Sequence, residues 1–298
     1  MQCRGRKHQP GFESLGSNMK TTMHQRCHLI GILAASLVVL AMAFASSVSG
    51  QEAAPFIEDA RKYVIESVKE KVTLTLNEKS LMNWTNPARQ QERGAVYVWK
   101  LDERPAAIGS LFSYEYDSKV YNKHEFHSLS SGPLRSTFAG TLAWTPKSAG
   151  IEWKPFNDSP PPGTTHTARL LQMRQFSRPF RAELVSPKDE KTELRLISRP
   201  LFEYSSPKSG VIDGAIFSFA VATDPEVLLL IEAFEENLNG TKRAGFRHAF
   251  ARFHYWNVAV YEGDKKIWNA PLDETHATNE IGNTQNIGKI YNSYHPKR

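Results

Sequence analysis

His124-Glu125-Phe126-His127 is the densest cluster of chemistry-bearing residues in the chain. Two histidines beside a glutamate suggest a zinc site or a general acid–base pair. Zinc hydrolases set their two histidines one helical turn apart, and here the spacing is one residue too short. The surrounding residues read as a strand, on which alternate side chains face opposite ways. His124 and His127 are then divided between two faces, whereas Glu125 and His127 share one. Neither a metal nor another cofactor is expected.

A second histidine-bearing segment, His248-Ala249-Phe250, echoes the first, and Arg252 and His254 share the strand face of His248. Together with Phe126, Phe250 and Trp256 these residues would line a pocket for a small anionic or aromatic ligand. The candidate ligand-binding residues are thus His124, Glu125, His127, His248, Arg252 and His254. The plainer reading makes the histidines structural, hydrogen-bonded within a half-buried sheet. The chain has no G-x-S-x-G elbow and no glycine-rich phosphate loop, so no catalytic residue is assigned.

The elements that must position these residues are mostly strands. Residues 56–70 put Phe56, Ile57, Ala60, Tyr63, Val64 and Val68 on one stripe, which predicts an amphipathic helix. Period-two patterns then predict strands over 72–76, 94–101, 106–116 and 120–129, and a hairpin about Gly140. Prolines at 146, 155, 160, 161 and 162 mark a semi-rigid linker. Residues 167–178 predict a second helix stopped by Pro179. Strands follow at 180–185, 192–197 and 201–204, and a long aromatic one at 246–260. The polar, aperiodic stretch 272–298 is expected to be loosely ordered.

The segments 74–117 and 194–237 align without a gap, with eight identical positions that include Gly94/Gly214 and Pro105/Pro225. Aromatic residues also coincide: Trp84 meets Tyr204, Tyr97 meets Phe217, and Trp99 meets Phe219. Self-similarity at a fixed long period predicts one supersecondary unit used twice. It also decides an ambiguity. Thr223-Asp224-Pro225-Glu226 reads locally as a capped helix start. Its counterpart after Pro105 holds a central glycine and strand formers, so 225–237 is assigned to a strand. The expected fold is α+β: two tandem related units, each an amphipathic helix with an antiparallel meander. Their boundaries are 51–146 and 167–271, with the linker at 147–166.

The 298 residues carry a formal charge of +6, but five basic residues and one acid lie in the first 50. Beyond Gly50 the net charge is +2, which removes the main argument for a nucleic-acid partner. Arg26 and His28 precede an apolar run over 29–45 and then small residues to Gly50. This is the form of a secretory signal cleaved between about Ala45 and Gln51. The competing reading is an uncleaved N-terminal anchor, which alone would tie the chain to a membrane. Met1, Met19 and Met23 are alternative starts. Both cysteines, Cys3 and Cys27, fall in this leader, so the mature chain holds no thiol chemistry. Asn83-Trp84-Thr85 and Asn239-Gly240-Thr241 are glycosylation sequons.

G-A-V-Y-V-W at 94–99, H-E-F-H-S-L at 124–129, A-R-L-L-Q-M-R at 168–174 and D-G-A-I-F at 213–217 resemble a group of uncharacterised exported bacterial proteins of the planctomycete type. The resemblance covers nearly all of the chain beyond the leader and implies export, with no activity attached. Two functions remain open at this stage. One is a non-catalytic component of the cell envelope or extracytoplasmic space that binds a small ligand or another protein. The other is a hydrolase, metal-dependent or not, using the histidine-bearing strands with Glu125 or Asp213.

Overall fold

The computed structural model describes residues 56–87, 89–90, 92–238, 240–275, 280–282 and 288–296. The leader, both cysteines and Asn239 of the second sequon lie outside the described residues. No helix among the described residues is long and apolar enough to cross a membrane.

Two antiparallel meanders dominate the fold, and every strand pair among the described residues is antiparallel. In the first, β5 (Glu92–Leu101), β6 (Arg104–Tyr116) and β7 (Lys119–Ser128) follow one another through two-residue turns. Asp102 and Glu103 in one turn, and Asp117 and Ser118 in the other, have φ of 48°, 67°, 49° and 57°. Two successive positive φ values are the hairpin geometry that matches the twist of the flanking strands. β3 (Thr75–Leu76) and β4 (Met82–Asn86) pair with β5, and β18 (Tyr291–Tyr294) with β7. In the second meander β12 (Lys191–Ser206), β13 (Val211–Val221), β14 (Asp224–Leu238) and β15 (Thr241–Arg252) are neighbours in chain order.

Shorter strands cover the outer faces. β1 (Tyr63–Ser67) pairs with β2 (Val72–Thr73) and with β8 (Leu134–Phe138), which forms a hairpin with β9 (Thr141–Trp144). β11 (Phe180–Val185) pairs with β12 and with β16 (Asn257–Glu262), which forms a hairpin with β17 (Lys265–Ala270). Helix α1 (Ile57–Arg61) packs with the first group and α2 (His166–Ser177) with the second.

Strand alternation sorts the apolar residues into three cores. On β5 and β6, Ala95, Tyr97, Trp99 and Leu111 face the small outer sheet, while Val96, Ile108 and Phe112 face the second meander. On β13 and β14, Phe217, Phe219, Leu229 and Ile231 face α2 and β11, while Ile216, Leu228 and Leu230 face the first meander. The two long sheets therefore share a middle core, and residues 53–298 form one compact unit.

The strand assigned to 225–237 is observed as β14, and the second helix as α2. Four expectations change. The helix predicted over 56–70 stops at Arg61, because Tyr63-Val64-Ile65 are strong strand formers and find a partner in β8. Val64 and Val68 are then 46% and 49% exposed rather than part of a buried stripe. The strand predicted over 246–260 breaks after Arg252, whose guanidinium binds the carbonyls of His254 and Trp256 and holds the bend. The linker contributes β10 (Lys154–Pro155), which pairs with β15. The tail supplies β18, and Ile281, Tyr291 and Tyr294 in it are buried, so its aromatic residues outweigh its polar composition.

Candidate functional site

β7 sends Lys123, Glu125 and His127 to one face and His124 and Phe126 to the other, as period-two alternation requires. His124 is fully buried in the outer core, where its Nδ1 lies 2.8 Å from the Tyr63 hydroxyl. Its Nε2 is 3.6 Å from Asp59 Oδ2, and burial holds the imidazole below its ordinary pKa. His248 sits in the core on the far side of the molecule. Phe156, Phe180 and Phe250 surround it at centroid distances of 4.5–5.5 Å, and burial pushes its pKa down to about 4. The two histidines therefore do not meet, and Phe126 and Phe250 belong to different cores. The shared pocket expected around them does not form, because each sheet turns these residues toward its own outer layer.

His127 and Arg252 line a groove of about 650 Å³ with Phe250, Trp268 and Tyr291. Both side chains hold backbone there. His127 Nδ1 is 2.8 Å from the Ser128 carbonyl, and Arg252 donates to the carbonyls of His254, Trp256 and Pro271 at 2.6–2.9 Å. Asp213, the alternative acid, pairs with Arg169 and lies 3.2 Å from His166 Nδ1, which ties α2 to its sheet. These groups anchor the fold.

Glu125 and His254 meet elsewhere. They line a cleft of about 290 Å³ at one end of the layer between the two long sheets. β5, β6 and β7 form its floor with Glu92, Phe112, Tyr114, Lys123 and Glu125. Arg89, from the turn before β5, Asp224 of β14, and Phe253, His254 and Tyr255, from the bend after β15, complete the walls. Such a mixture of aromatic walls and a few converging polar groups is the usual make-up of a small-molecule site.

The electrostatics of the cleft are unusual for a sheet interface. Arg89 Nη1 lies 3.3 Å from Asp224 Oδ2 and 3.0 Å from Glu226 Oε1. Glu226 is fully buried, and its Oε2 has no hydrogen-bond partner; His254 Nε2 is 4.0 Å away. His254 Nδ1 accepts from the Trp256 amide at 2.9 Å, so the neutral ring carries its proton on Nε2, toward that oxygen. Burial, then repulsion between neighbouring acids, pushes Asp224 and Glu226 up. Burial pushes Glu92 up to about 7 and also raises Glu125, which lies 3.3 Å from Ser293 Oγ.

Lys123 is only 7% exposed, and burial lowers its pKa. Its ammonium lies 4.9 Å from the centre of the Tyr255 ring. Among the described residues it makes no hydrogen bond and no ion pair. An ammonium buried beside a ring but without a hydrogen-bonded anion is costly unless something else meets it.

No protein-family model matches this chain, and no curated protein or solved structure matches it. No group of three or more His, Cys, Asp or Glu among the described residues is arranged to hold a metal ion.

Sequence reasoning named Glu125 and His254 but missed Lys123, Glu92, Arg89, Asp224 and Glu226. The signal for Lys123 was present in the alternation Lys123-x-Glu125-x-His127, which puts all three on one face. Asp224 and Glu226 were legible only as part of a helix-start pattern. On β14 the same two residues become neighbours on one strand face.

Proposed function

We propose that this is an exported, non-catalytic binding protein, and that the cleft between its two meanders takes a small ligand. One observation carries the reading: the buried ammonium of Lys123 opens into an aromatic-walled cleft with the Tyr255 ring beside it and no hydrogen-bond or ion-pair partner among the described residues. A stable fold tolerates such a group where a ligand or solvent in the cleft meets it. Export rests on the leader, whose n-region, apolar run and small-residue zone follow the signal-peptide pattern.

The two-unit organisation belongs to the same proposal. Its support is the matching strand partners: β1 pairs with β2 and β8 as β11 pairs with β12 and β16. Trp84 opposite Gly94 and Tyr204 opposite Gly214 repeat one cross-strand pair. In this reading the cleft lies where two copies of one unit face each other and have diverged.

A melting-temperature screen of small organic acids, amines and polyols tests the binding reading. Stabilising compounds are expected, and their effect should vanish in Glu125→Ala and Tyr255→Ala. If no compound stabilises the wild type, or if both variants respond as it does, the reading fails.

A hydrolase remains a second reading because of Glu92. A carboxyl with a pKa of about 7 can donate a proton at neutral pH, and Glu125 lines the same cleft. Turnover of chromogenic ester or glycoside substrates by the wild type, and its loss in Glu92→Gln, would favour hydrolysis over binding alone.

A further inference from the structure

Two cross-strand rows at matching places in the two meanders differ in one respect. In the second meander Tyr204, Gly214, Glu232 and Arg247 lie directly opposite one another across β12, β13, β14 and β15. In the first, Trp84, Gly94, Phe112 and Lys123 do the same across β4, β5, β6 and β7. Each row begins with an aromatic ring over a glycine and ends with a cation. Only the third position changes character, from glutamate to phenylalanine.

That change decides what the cation meets. Glu232 is fully buried and satisfied on every side. Arg247 reaches its Oε2 at 2.7 and 2.8 Å, Arg104 takes both oxygens at 2.8 and 2.9 Å, and the Tyr204 hydroxyl donates at 2.9 Å. Charge-assisted bonds of this kind are about twice as strong as neutral ones. Beside Lys123 the corresponding space holds the Phe112 ring, which packs on Trp84 at 5.4 Å and offers no acceptor. One row carries its own carboxylate. The other keeps the cation and opens into the cleft.

We propose that the cleft takes a small carboxylate ligand, whose carboxylate sits beside Lys123 as that of Glu232 sits beside Arg247. The proposal rests on the cleft being a binding site. Glu92, Glu125 and Asp224 line the same cleft, and Lys123 attracts the first two; burial raises all three, which weakens their opposition to an anion. A protonated carboxyl donates a hydrogen bond to the ligand's oxygens instead of repelling them. The volume of about 290 Å³ suits an acid the size of benzoate, with Tyr114 and Tyr255 against its ring.

Benzoate and neutral benzamide, compared at equal ionic strength by calorimetry and melting temperature, test the assignment on the full mature chain. Benzoate should bind and raise the melting temperature while benzamide does not, and Lys123→Met should weaken benzoate at least about tenfold. A second pair of variants supplies the missing carboxylate from within. Phe112→Glu should melt above its neutral counterpart Phe112→Gln and should no longer respond to benzoate. Equal responses to benzoate and benzamide, or a Phe112→Glu variant no more stable than Phe112→Gln, would overturn the proposal. Binding of amine or polyol probes with benzoate silent would overturn the carboxylate assignment and leave the cleft reading standing. Silence of every class would remove both.

Discussion

The indole of Trp84 closes over Gly94, so that a Cβ on that glycine would sit 2.7 Å from two ring carbons. Tyr204 covers Gly214 in the same way, and a Cβ there would clash with its ring. Each glycine serves close approach, since only a residue without a side chain leaves room for the ring on the neighbouring strand. Gly94→Ala and Gly214→Ala should each destabilise the protein by about 1–3 kcal/mol through overpacking. Urea unfolding checks this, and an unchanged midpoint in either variant would contradict the packing argument.

Glu232 holds two guanidiniums and a tyrosine hydroxyl within the middle layer. Its replacement by Gln removes the charge and leaves Arg104 and Arg247 facing one another without an anion. Breaking one partner of a buried pair costs about 3–5 kcal/mol. Glu232→Gln should lose stability on that scale, whereas Glu235→Gln, on the exposed part of β14, should change it little. Denaturant titration of the two variants distinguishes the sites.

Glu92 makes stability depend on pH in a stated direction. Its folded pKa of about 7 exceeds the ordinary 4.5, so between these values the folded chain keeps a proton that the unfolded chain has lost. The contribution of this group is full below 4.5 and disappears as pH rises through 7. Glu92→Gln should flatten that fall, as read from melting temperatures across the window.

His248 acts in the opposite sense. Its folded pKa of about 4 lies below the ordinary 6.5, so its contribution is present above 6.5 and is lost as pH falls toward 4. Surrounded by three phenylalanines, the ring is replaceable by another of the same kind. His248→Phe should keep the fold and reduce the loss of stability on acidification. An unchanged acid limb would show that other groups, among them His127, set it.

The cation paired to a cleft can be read in sequence only when its neighbours are known. Thr223-Asp224-Pro225-Glu226 shows why, since its local pattern favours a helix and its partner segment after Pro105 favours a strand. The strand prevails because Leu228-Leu229-Leu230-Ile231 has apolar partners on both faces, and tertiary burial outweighs a capping preference of about 1 kcal/mol. The opposite error occurred at 56–70, where helical periodicity over Tyr63-Val64-Ile65 gave way to pairing with β8. That error also concealed the likeness of β1 to β11 in strand pairing, because the first segment was read as helix.

Periodicity and turn chemistry in the chain alone determined the meanders, the second helix and the division of His124 from Glu125 and His127. These are local properties: alternation fixes a strand's faces, and Gly94 and Gly214 announce themselves by what they lack. Only the tertiary structure decided which faces meet. It buried His124 and His248 in separate cores, placed Glu125 and His254 in one cleft, and set Lys123 opposite Phe112 where Arg247 stands opposite Glu232. What each cation meets follows from register across strands far apart in the chain.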